Sequence, residues 1–200
     1  MNNYCNSNYV TKARWVSYWH QINEIVSLKP QTVLEIGIGN KVVSDYLKKS
    51  GIKVVMCDKD YHLKPDVVAD VLYLPFKKDS FDVILVAEIL EHLPFSKFSK
   101  ALKEIKRVSK RWIVISLPDY DIFRFYLGLK FFPYVPKFEK TFKVNFPGKH
   151  KFDGEHYWEI GKKGYSLSRI LKVFELNKLD VLKNYYSNEN PYHRFFVLKK

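Results

Sequence analysis

The sequence predicts an α/β fold in which helices cover both faces of a doubly wound, mostly parallel, seven-stranded sheet. Short apolar runs alternate with helical patterns between residues 33 and 116, and this alternation is typical of parallel strands joined by helices. Two more strand-like runs, residues 181–186 and 194–198, flank the turn sequence Asn188-Glu189-Asn190-Pro191. They predict an antiparallel C-terminal hairpin.

The individual elements follow from apolar periodicity and from capping residues. A helix is predicted first, over residues 11–28, and it ends where Lys29-Pro30 follows. The apolar face of this helix is expected to consist of Trp15, Trp19, Ile22 and Val26. Strands are predicted at 33–36, 52–57, 67–69, 81–87 and 112–116, and helices at 41–49, 96–109 and from Ser166 onward.

An insertion interrupts this pattern at residues 120–165, within one domain that spans residues 1–200. Ten aromatic residues lie between Tyr120 and Phe146, and basic residues are interleaved with them. The segment follows the last parallel strand at the carboxyl edge of the sheet, where loops build binding sites, so we expect a lid over a ligand. The alternative is that the rings form a small satellite core under a long loop.

The charge of the chain favours anionic partners. Lys and Arg number 34 against 21 Asp and Glu, which gives a net charge of +13. Such a field would attract nucleic acid, an acidic membrane surface or a phosphorylated substrate, although a solvated lysine-rich surface is an equally good interpretation. No apolar run approaches the roughly 20 residues that cross a bilayer, and no signal peptide is readable. We therefore expect a cytoplasmic protein.

Metal binding and disulfides are not expected from the sequence. Its only cysteines, Cys5 and Cys57, lack the spacing of metal ligands, and Cys57 falls inside a predicted buried strand. No acidic cluster that could hold a metal is evident near the fourth strand. We predict no metal site.

The strongest functional motif is Glu35-Ile36-Gly37-Ile38-Gly39, which follows the first predicted strand. Glycines at this spacing let the backbone approach a ligand closely. A dinucleotide fingerprint needs Gly or Ala three residues after Gly39, but that residue is Val42, and no Gly-Lys-Ser/Thr of a phosphate-binding loop follows. The motif therefore favours a nucleoside-type ligand without a pyrophosphate.

Four stretches in order extend this motif into a family pattern: residues 33–39, 54–58, 69–76 and 81–93. With them the chain resembles class I S-adenosylmethionine-dependent methyltransferases, in particular the group of small methyltransferases with a Glu-x-Gly-x-Gly motif. The resemblance implies a Rossmann-like fold, S-adenosyl-L-methionine as the cofactor, and methyl transfer as the activity. One departure is Lys41, which stands where the family often has a further glycine.

The resemblance also implies which residues hold the cofactor. They are Glu35, Gly37 and Gly39 at the methionine moiety, Asp58 at the ribose hydroxyls, Asp70 and Val71 at the adenine, and Ala87 and Glu88 at the end of the fourth strand. A carboxylate suits the ribose, because its two oxygens can accept from both hydroxyls. Asp60 competes with Asp58 for this role, and Asp70 has the alternative of a simple turn residue.

The candidates for catalysis are two histidines. His156 is the first candidate for a base or a substrate contact, since related methyltransferases often have a histidine followed by aromatic and acidic residues there. His92 is the second. For His156 a structural role is an equally good alternative. For the pair Glu91-His92 the equally good alternative is a solvated helix start.

The methyl acceptor is the least determined part of the prediction. The residues after the fourth strand, Ala87-Glu88-Ile89-Leu90, differ from the Asn/Asp-Pro-Pro-Tyr/Phe motif of adenine-N6 and glutamine methylases. The basic, aromatic insertion suggests a small or lipid-like anionic acceptor, with possible contact to a membrane surface. An RNA methyltransferase and a non-catalytic S-adenosylmethionine-binding protein are the alternatives, and the oligomeric state is left open.

Overall fold

The computed structural model describes residues 9–120, 123–129, 138–144 and 147–200 of the protein. Its strands are β1 (Thr32–Ile36), β2 (Lys53–Asp58), β3 (Val67–Val68), β4 (Phe81–Ala87), β5 (Ser109–Pro118), β6 (Phe123–Leu129), β7 (Phe138–Val144), β8 (Asp180–Tyr186) and β9 (His193–Lys199). Its α-helices are α1 (Lys12–Ser27), α2 (Val42–Lys49), α3 (Phe95–Val108) and α4 (Leu167–Leu176). Short 3₁₀ helices at Tyr61–Leu63 and Leu90–His92 were not predicted from the sequence.

A seven-stranded sheet with the order β3-β2-β1-β4-β5-β9-β8 forms the centre of the fold. The neighbours from β3 to β5 are parallel, whereas β9 runs antiparallel to both β5 and β8. The predicted fold class is therefore confirmed, including the C-terminal hairpin. The strand order changes direction between β1 and β4, and open α/β sheets bind ligands at the carboxyl ends of strands that flank such a point.

Two apolar cores cover the two faces of the sheet, because side chains alternate along each buried strand. In β4, Val83 and Leu85 belong to the core under α1 and α2. Ile84 and Val86 belong to the larger core under α3 and α4. All four side chains are fully buried. The strands are thus rigidly held, and the loops at their carboxyl ends start from fixed positions.

The predicted apolar face of α1 was wrong for three of its four residues, since only Ile22 packs against the core. Trp15, Trp19 and Val26 are 52%, 60% and 44% exposed. The buried face instead consists of Ser17, Tyr18, Gln21, Glu24 and Ile25. Polar anchoring to the hairpin decided the orientation of the helix: the Glu24 carboxylate accepts hydrogen bonds from Lys183 and Tyr185 of β8, and Ser17 bonds His193 of β9.

The predicted insertion contains a second sheet. Its strands β6 and β7 pair antiparallel and form a two-stranded sheet apart from the main one. The sequence analysis had not placed strands there. Where the insertion leaves and rejoins the domain, the chain is tied together, since Ile160 N donates to Pro118 O and Tyr120 N donates to Ile160 O. The aromatic side chains of residues 121–146 lie outside what the structure describes, and the lid stays a prediction.

Within the described parts of the chain, no helix combines the length and the apolar character that crossing a bilayer requires. Cys57 is a buried free cysteine, and burial raises the pKa of its thiol to about 11. It is therefore unreactive at neutral pH. Cys5 lies outside the described residues.

Asp82 is expected to be a major stabilising residue at the start of β4. Its Oδ2 accepts hydrogen bonds from Gln31 N, Thr32 N and Thr32 Oγ1 at 3.0, 2.8 and 2.9 Å, and its Oδ1 accepts one from Lys110 Nζ at 2.9 Å. Burial opposes ionisation, but these bonds outweigh it and lower the pKa to about 2. Asp82→Ala should lower the free energy of unfolding by about 2 kcal/mol, measured by urea denaturation at pH 7.

The pH dependence of this difference follows from the lowered pKa. The stabilisation by Asp82 is present above the ordinary aspartate pKa and is lost as the pH falls towards 2, so the two proteins should converge in acid. Asp79→Ala is a matched control, because that exposed carboxylate pairs only with exposed or partly exposed lysines, including Lys200. Equal losses for both variants would contradict the role of Asp82.

Candidate active site

A cavity of about 1300 Å³ opens at the carboxyl ends of β1, β2 and β4. It lies where the strand order predicts a ligand. Every residue assigned to a site from the sequence lies on its wall: Glu35, Gly37, Gly39, Asp58, Asp70, Val71, Ala87, Glu88, His92 and His156. The fold thus brings residues that are up to 121 positions apart in the chain to one surface, with Glu35 and His156 at the extremes.

Asp58 joins the loops that follow β1 and β2. The backbone N–H of Ile38 donates to its Oδ2 at 2.9 Å, and that of Asp60 donates to its Oδ1 at 2.9 Å. Each oxygen keeps a second acceptor position, so the carboxylate can still receive two hydroxyl donors from a ligand. Asp60 differs, because its Oδ1 caps the following 3₁₀ helix through His62 N. Both carboxylates line the cavity, and the assignment of the ribose to Asp58 stays a prediction.

The glycine turn requires a left-handed backbone. Gly37 has φ +82°, and a Cβ placed there would lie 2.0 Å from Cδ1 of Ile89. Gly39 has φ +46°, and Lys41 has φ +65°. Lys41 therefore adopts the conformation that glycine prefers, which gives a physical reason for glycine at this position in similar sequences. The strain at Lys41 is offset in part by the hydrogen bond from its Nζ to Lys64 O.

Glu35 is a buried acid at the methionine side of the predicted cofactor site. It is 4% exposed, and its Oε2 accepts a hydrogen bond from the hydroxyl of Ser44 on α2. Burial is the main cause that raises its pKa to about 7, while the bond from Ser44 works in the opposite direction. Glu35 therefore changes its charge near neutral pH, and a cation placed beside it would favour the ionised form.

Asp70 and Val71 also line the cavity. The Asp70 carboxylate is exposed and accepts a hydrogen bond from Leu72 N at 2.8 Å, so it does cap a turn. It also faces the cavity, and its second oxygen is available to a ligand. Val71 is buried and supplies an apolar surface. Both interpretations of Asp70 from the sequence are compatible with this placement.

Ala87 and Glu88 end β4 at the cavity. Glu88 has φ +54°, a conformation that is uncommon outside glycine and that clusters at functional sites. Its Oε1 accepts a hydrogen bond from Ser116 at 2.8 Å, and its Oε2 lies 3.5 Å from His193 Nε2. These partners hold the carboxylate at the cavity wall.

The two candidate histidines lie next to each other, with ring centroids 5.1 Å apart. Nδ1 of His92 lies 3.0 Å from the carbonyl oxygen of Glu155, and Nδ1 of His156 lies 3.0 Å from Oε1 of Glu159. The bond to Glu159 is the main cause that raises the pKa of His156. A role in catalysis stays a prediction for both.

Glu91 was weighed in the sequence as part of a solvated helix start, and that interpretation was wrong. Its side chain is fully buried, and neither carboxylate oxygen has a hydrogen-bond partner among the described residues. Burial, followed by the negative charge of Glu88, raises its pKa well above the usual range. The sequence showed the pair Glu91-His92 but not the burial of Glu91. A distant segment contacts Glu91, because the N–H of Tyr157 donates to Glu91 O.

Tyr192 and His193 also line the cavity, and the sequence analysis missed them. They follow the hairpin turn at Pro191, far along the chain from the other site residues. The Tyr192 hydroxyl donates to Oε1 of Glu159 at 2.7 Å. No local motif marks these residues, because only the antiparallel insertion of β9 beside β5 carries them to the site.

Comparison with known proteins agrees with this geometry. Residues 34–112 match a family model described as a methyltransferase domain. Over these residues the chain is similar to methyltransferase domains. The matched segment runs from β1 into β5, so it includes the glycine turn, Asp58 and Glu88, while His156 lies outside it. The resemblance to methyltransferases that the sequence suggested is supported over this segment.

Solved structures of methyltransferases share the fold of this domain. The Burkholderia thailandensis 1,6-didemethyltoxoflavin-N1-methyltransferase, solved with 1,6-didemethyltoxoflavin and S-adenosylhomocysteine, has a TM-score of 0.63 at 12% identity, over 94% of this chain and 78% of that chain. An S-adenosylmethionine-dependent methyltransferase from Clostridium acetobutylicum has a TM-score of 0.62 at 11% identity, over 95% and 92%. The magnesium protoporphyrin IX methyltransferase of Synechocystis, solved with S-adenosylmethionine, has a TM-score of 0.58 at 16% identity, over 98% and 85%.

One further relative matches this chain over a short stretch of sequence only. An uncharacterized protein of Methanocaldococcus jannaschii is 43% identical over 44 residues, which make up 22% of this chain and 18% of that protein. The matched stretch thus covers less than a fifth of the relative's length. The structural neighbours establish the class I methyltransferase fold.

Proposed function

We propose that this protein is an S-adenosylmethionine-dependent methyltransferase. The observation that carries the proposal is that all the residues implied for the cofactor, from four separate stretches of sequence, lie on the wall of one cavity. Asp58 presents free acceptor positions for a ribose, and Gly37 and Gly39 of the glycine turn line the same cavity. The structural neighbours solved with S-adenosylmethionine or S-adenosylhomocysteine support the same ligand class.

The chemistry of methyl transfer asks mainly for alignment. An acceptor atom displaces the methyl group from the sulfonium in line, so the C–S bond breaks as the new bond forms, and the protein holds both partners and excludes water. Ligand pockets commonly measure about 300–1,000 Å³. A cavity of about 1300 Å³ therefore leaves room for an acceptor beside the cofactor.

We propose a small or lipid-like anionic molecule as the acceptor. Arg14 and Lys59 on the cavity wall and the net charge of +13 support an anion. Two neighbours are named as methyltransferases of small molecules, a didemethyltoxoflavin and magnesium protoporphyrin IX. The net charge also favours RNA as a second candidate acceptor, and retention of RNA that weakens with salt would support it.

Titration calorimetry with S-adenosylhomocysteine tests the cofactor assignment. The ligand carries an ammonium group, which beside Glu35 would lower the pKa of that carboxyl from about 7. Binding should therefore release up to roughly one proton at pH 6 and almost none above pH 8. Below pH 7, the affinity should increase by up to about tenfold for each unit by which the pH is raised. Proton release is measured by comparing buffers with different ionisation enthalpies.

Glu35→Gln is the control, because it keeps the shape of the side chain and removes the titration. It should bind S-adenosylhomocysteine without releasing a proton. Failure of the wild-type chain to bind S-adenosylhomocysteine or S-adenosylmethionine would refute the proposed function. Binding without turnover on any acceptor in a metabolite screen would instead support the non-catalytic alternative.

A further inference from the structure

Three side chains beside the cavity are arranged like the ligands of a metal ion. Glu91, His92 and His156 each offer a ligand atom, and these atoms lie within 4.8 Å of one another. Glu91 and His92 belong to the 3₁₀ helix after β4, whereas His156 belongs to the segment before α4. Tertiary structure therefore assembles the cluster from two distant parts of the chain.

The Glu91 carboxylate lacks the partners that a buried acid needs. Both oxygens are buried, and no described residue donates a hydrogen bond to either. Buried carboxylates are almost always hydrogen-bonded, paired with a cation or bound to a metal. The neighbouring Glu88 and Glu159 add negative charge rather than neutralising it. A bound cation would compensate the charge of Glu91 in its ionised form.

Both histidines are oriented as metal ligands usually are. Their Nδ1 atoms face a backbone carbonyl, Glu155 O, and a carboxylate, Glu159 Oε1, each at 3.0 Å. Carbonyl and carboxylate oxygens only accept, so each ring carries a proton on Nδ1, and in the neutral ring Nε2 then has the free lone pair. A metal-binding histidine typically donates its other N–H to such an acceptor, which fixes the tautomer and the ring orientation.

A second cluster, Asp153, His156 and Glu159, also has the spacing of metal ligands, but hydrogen bonds already engage one oxygen of each of its carboxylates. Asp153 Oδ1 accepts the backbone N–H groups of Glu155 and His156. Glu159 Oε1 accepts from both His156 and Tyr192. Because these oxygens already have protein donors, the cluster around Glu91 is the better site.

We propose that Glu91, His92 and His156 bind a divalent transition-metal ion at the wall of the cavity. Two imidazoles and one carboxylate suit Mn²⁺, Fe²⁺ or Zn²⁺ better than Mg²⁺ or Ca²⁺, which prefer oxygen ligands. Three protein ligands leave coordination positions for other groups, and His92 and His156 line the cavity where such groups could enter. An anionic acceptor could bind to the metal through one of its oxygen atoms. This role of the metal rests on the proposed function, whereas metal binding itself does not.

Titration of the purified chain with Mn²⁺, followed by electron paramagnetic resonance of the free ion, tests the site. We expect one Mn²⁺ per chain, displaced by Zn²⁺ and at least about tenfold less effectively by Mg²⁺. Glu91→Gln and His156→Gln should each weaken Mn²⁺ binding by about 100-fold. His62→Gln is the matched control, because His62 lines the same cavity outside the cluster, and it should retain the wild-type affinity.

Three results of these titrations would contradict the proposed metal site. Absence of stoichiometric Mn²⁺ and Zn²⁺ binding, tighter binding of Mg²⁺ than Mn²⁺, or an equal loss in His62→Gln would overturn the proposal. Circular dichroism checks the fold of each variant, and the partly exposed His156 provides the test if Glu91→Gln does not fold. Titration of the same preparations with S-adenosylhomocysteine distinguishes failure of the metal site from failure of the proposed function, since either ligand can bind without the other.

Discussion

Replacing Asp58 with alanine is expected to weaken S-adenosylhomocysteine binding by at least about 100-fold. The substitution would remove two charge-assisted hydrogen bonds between the Asp58 carboxylate and the ribose, each of about 1.5–3 kcal/mol. It would also release the Ile38 N–H, because Asp58 Oδ2 holds the glycine turn in place. Titration calorimetry on the variant and the wild-type protein gives both dissociation constants directly.

Asp60→Ala separates the ribose contact from a general effect on this loop. Asp60 lies two residues from Asp58 and also accepts a backbone N–H, that of His62, but it does not hold the glycine turn. We expect its loss to fray the short 3₁₀ helix and to change the affinity only slightly. If Asp60→Ala weakened binding as much as Asp58→Ala, the assignment of the ribose to Asp58 would be wrong.

Gly37→Ala is expected to have the largest effect on both stability and ligand binding. The added Cβ would lie 2.0 and 2.4 Å from two carbon atoms of Ile89, at a φ of +82° that non-glycine residues rarely adopt. The left-handed backbone costs about 1 kcal/mol and the overlap about 2 kcal/mol. The free energy of unfolding should therefore fall by about 3 kcal/mol, and displacement of Ile89 into the cavity should abolish S-adenosylhomocysteine binding.

Gly51→Ala isolates the backbone part of this effect. Gly51 has almost the same φ, +84°, but a Cβ added there would have no atom within 4 Å, so only the cost of about 1 kcal/mol should appear. In an Ile89→Ala background, the cost of Gly37→Ala should fall to that of Gly51→Ala. An unchanged cost in that background would show that overlap with Ile89 is not the cause.

Local patterns were sufficient where a segment's structure depends on its own residues. The strand at Phe81–Ala87 was predicted with its observed bounds, because an apolar run with flanking turn residues leaves few alternatives. The helix at Val42–Lys49 followed from its periodicity and its closing Ser50-Gly51. The strand order, which adjacent residues do not contain, was not predicted from the sequence.

Local patterns failed where distant contacts compete. The tryptophans of α1 have the spacing of a buried face, yet the bonds of Glu24 to β8 and of Ser17 to β9 turn Trp15 and Trp19 outward. A buried polar group without its partner costs more than an exposed aromatic ring, so the polar contacts decided the orientation. The sequence carries no sign of those partners, because they lie more than 150 residues away.

The glycine turn, Asp58 and the apolar strands were determined by the sequence alone, since short-range periodicity, turn chemistry and motif spacing encode them. Only the tertiary structure decided that Glu91 is buried without a hydrogen-bond donor and that His92 and His156 meet beside it. Such sites depend on the packing of segments far apart in the chain, whose relative positions follow from the cores they bury rather than from any local pattern. The residues proposed to bind the cofactor were therefore readable from the sequence, and the proposed metal site was not.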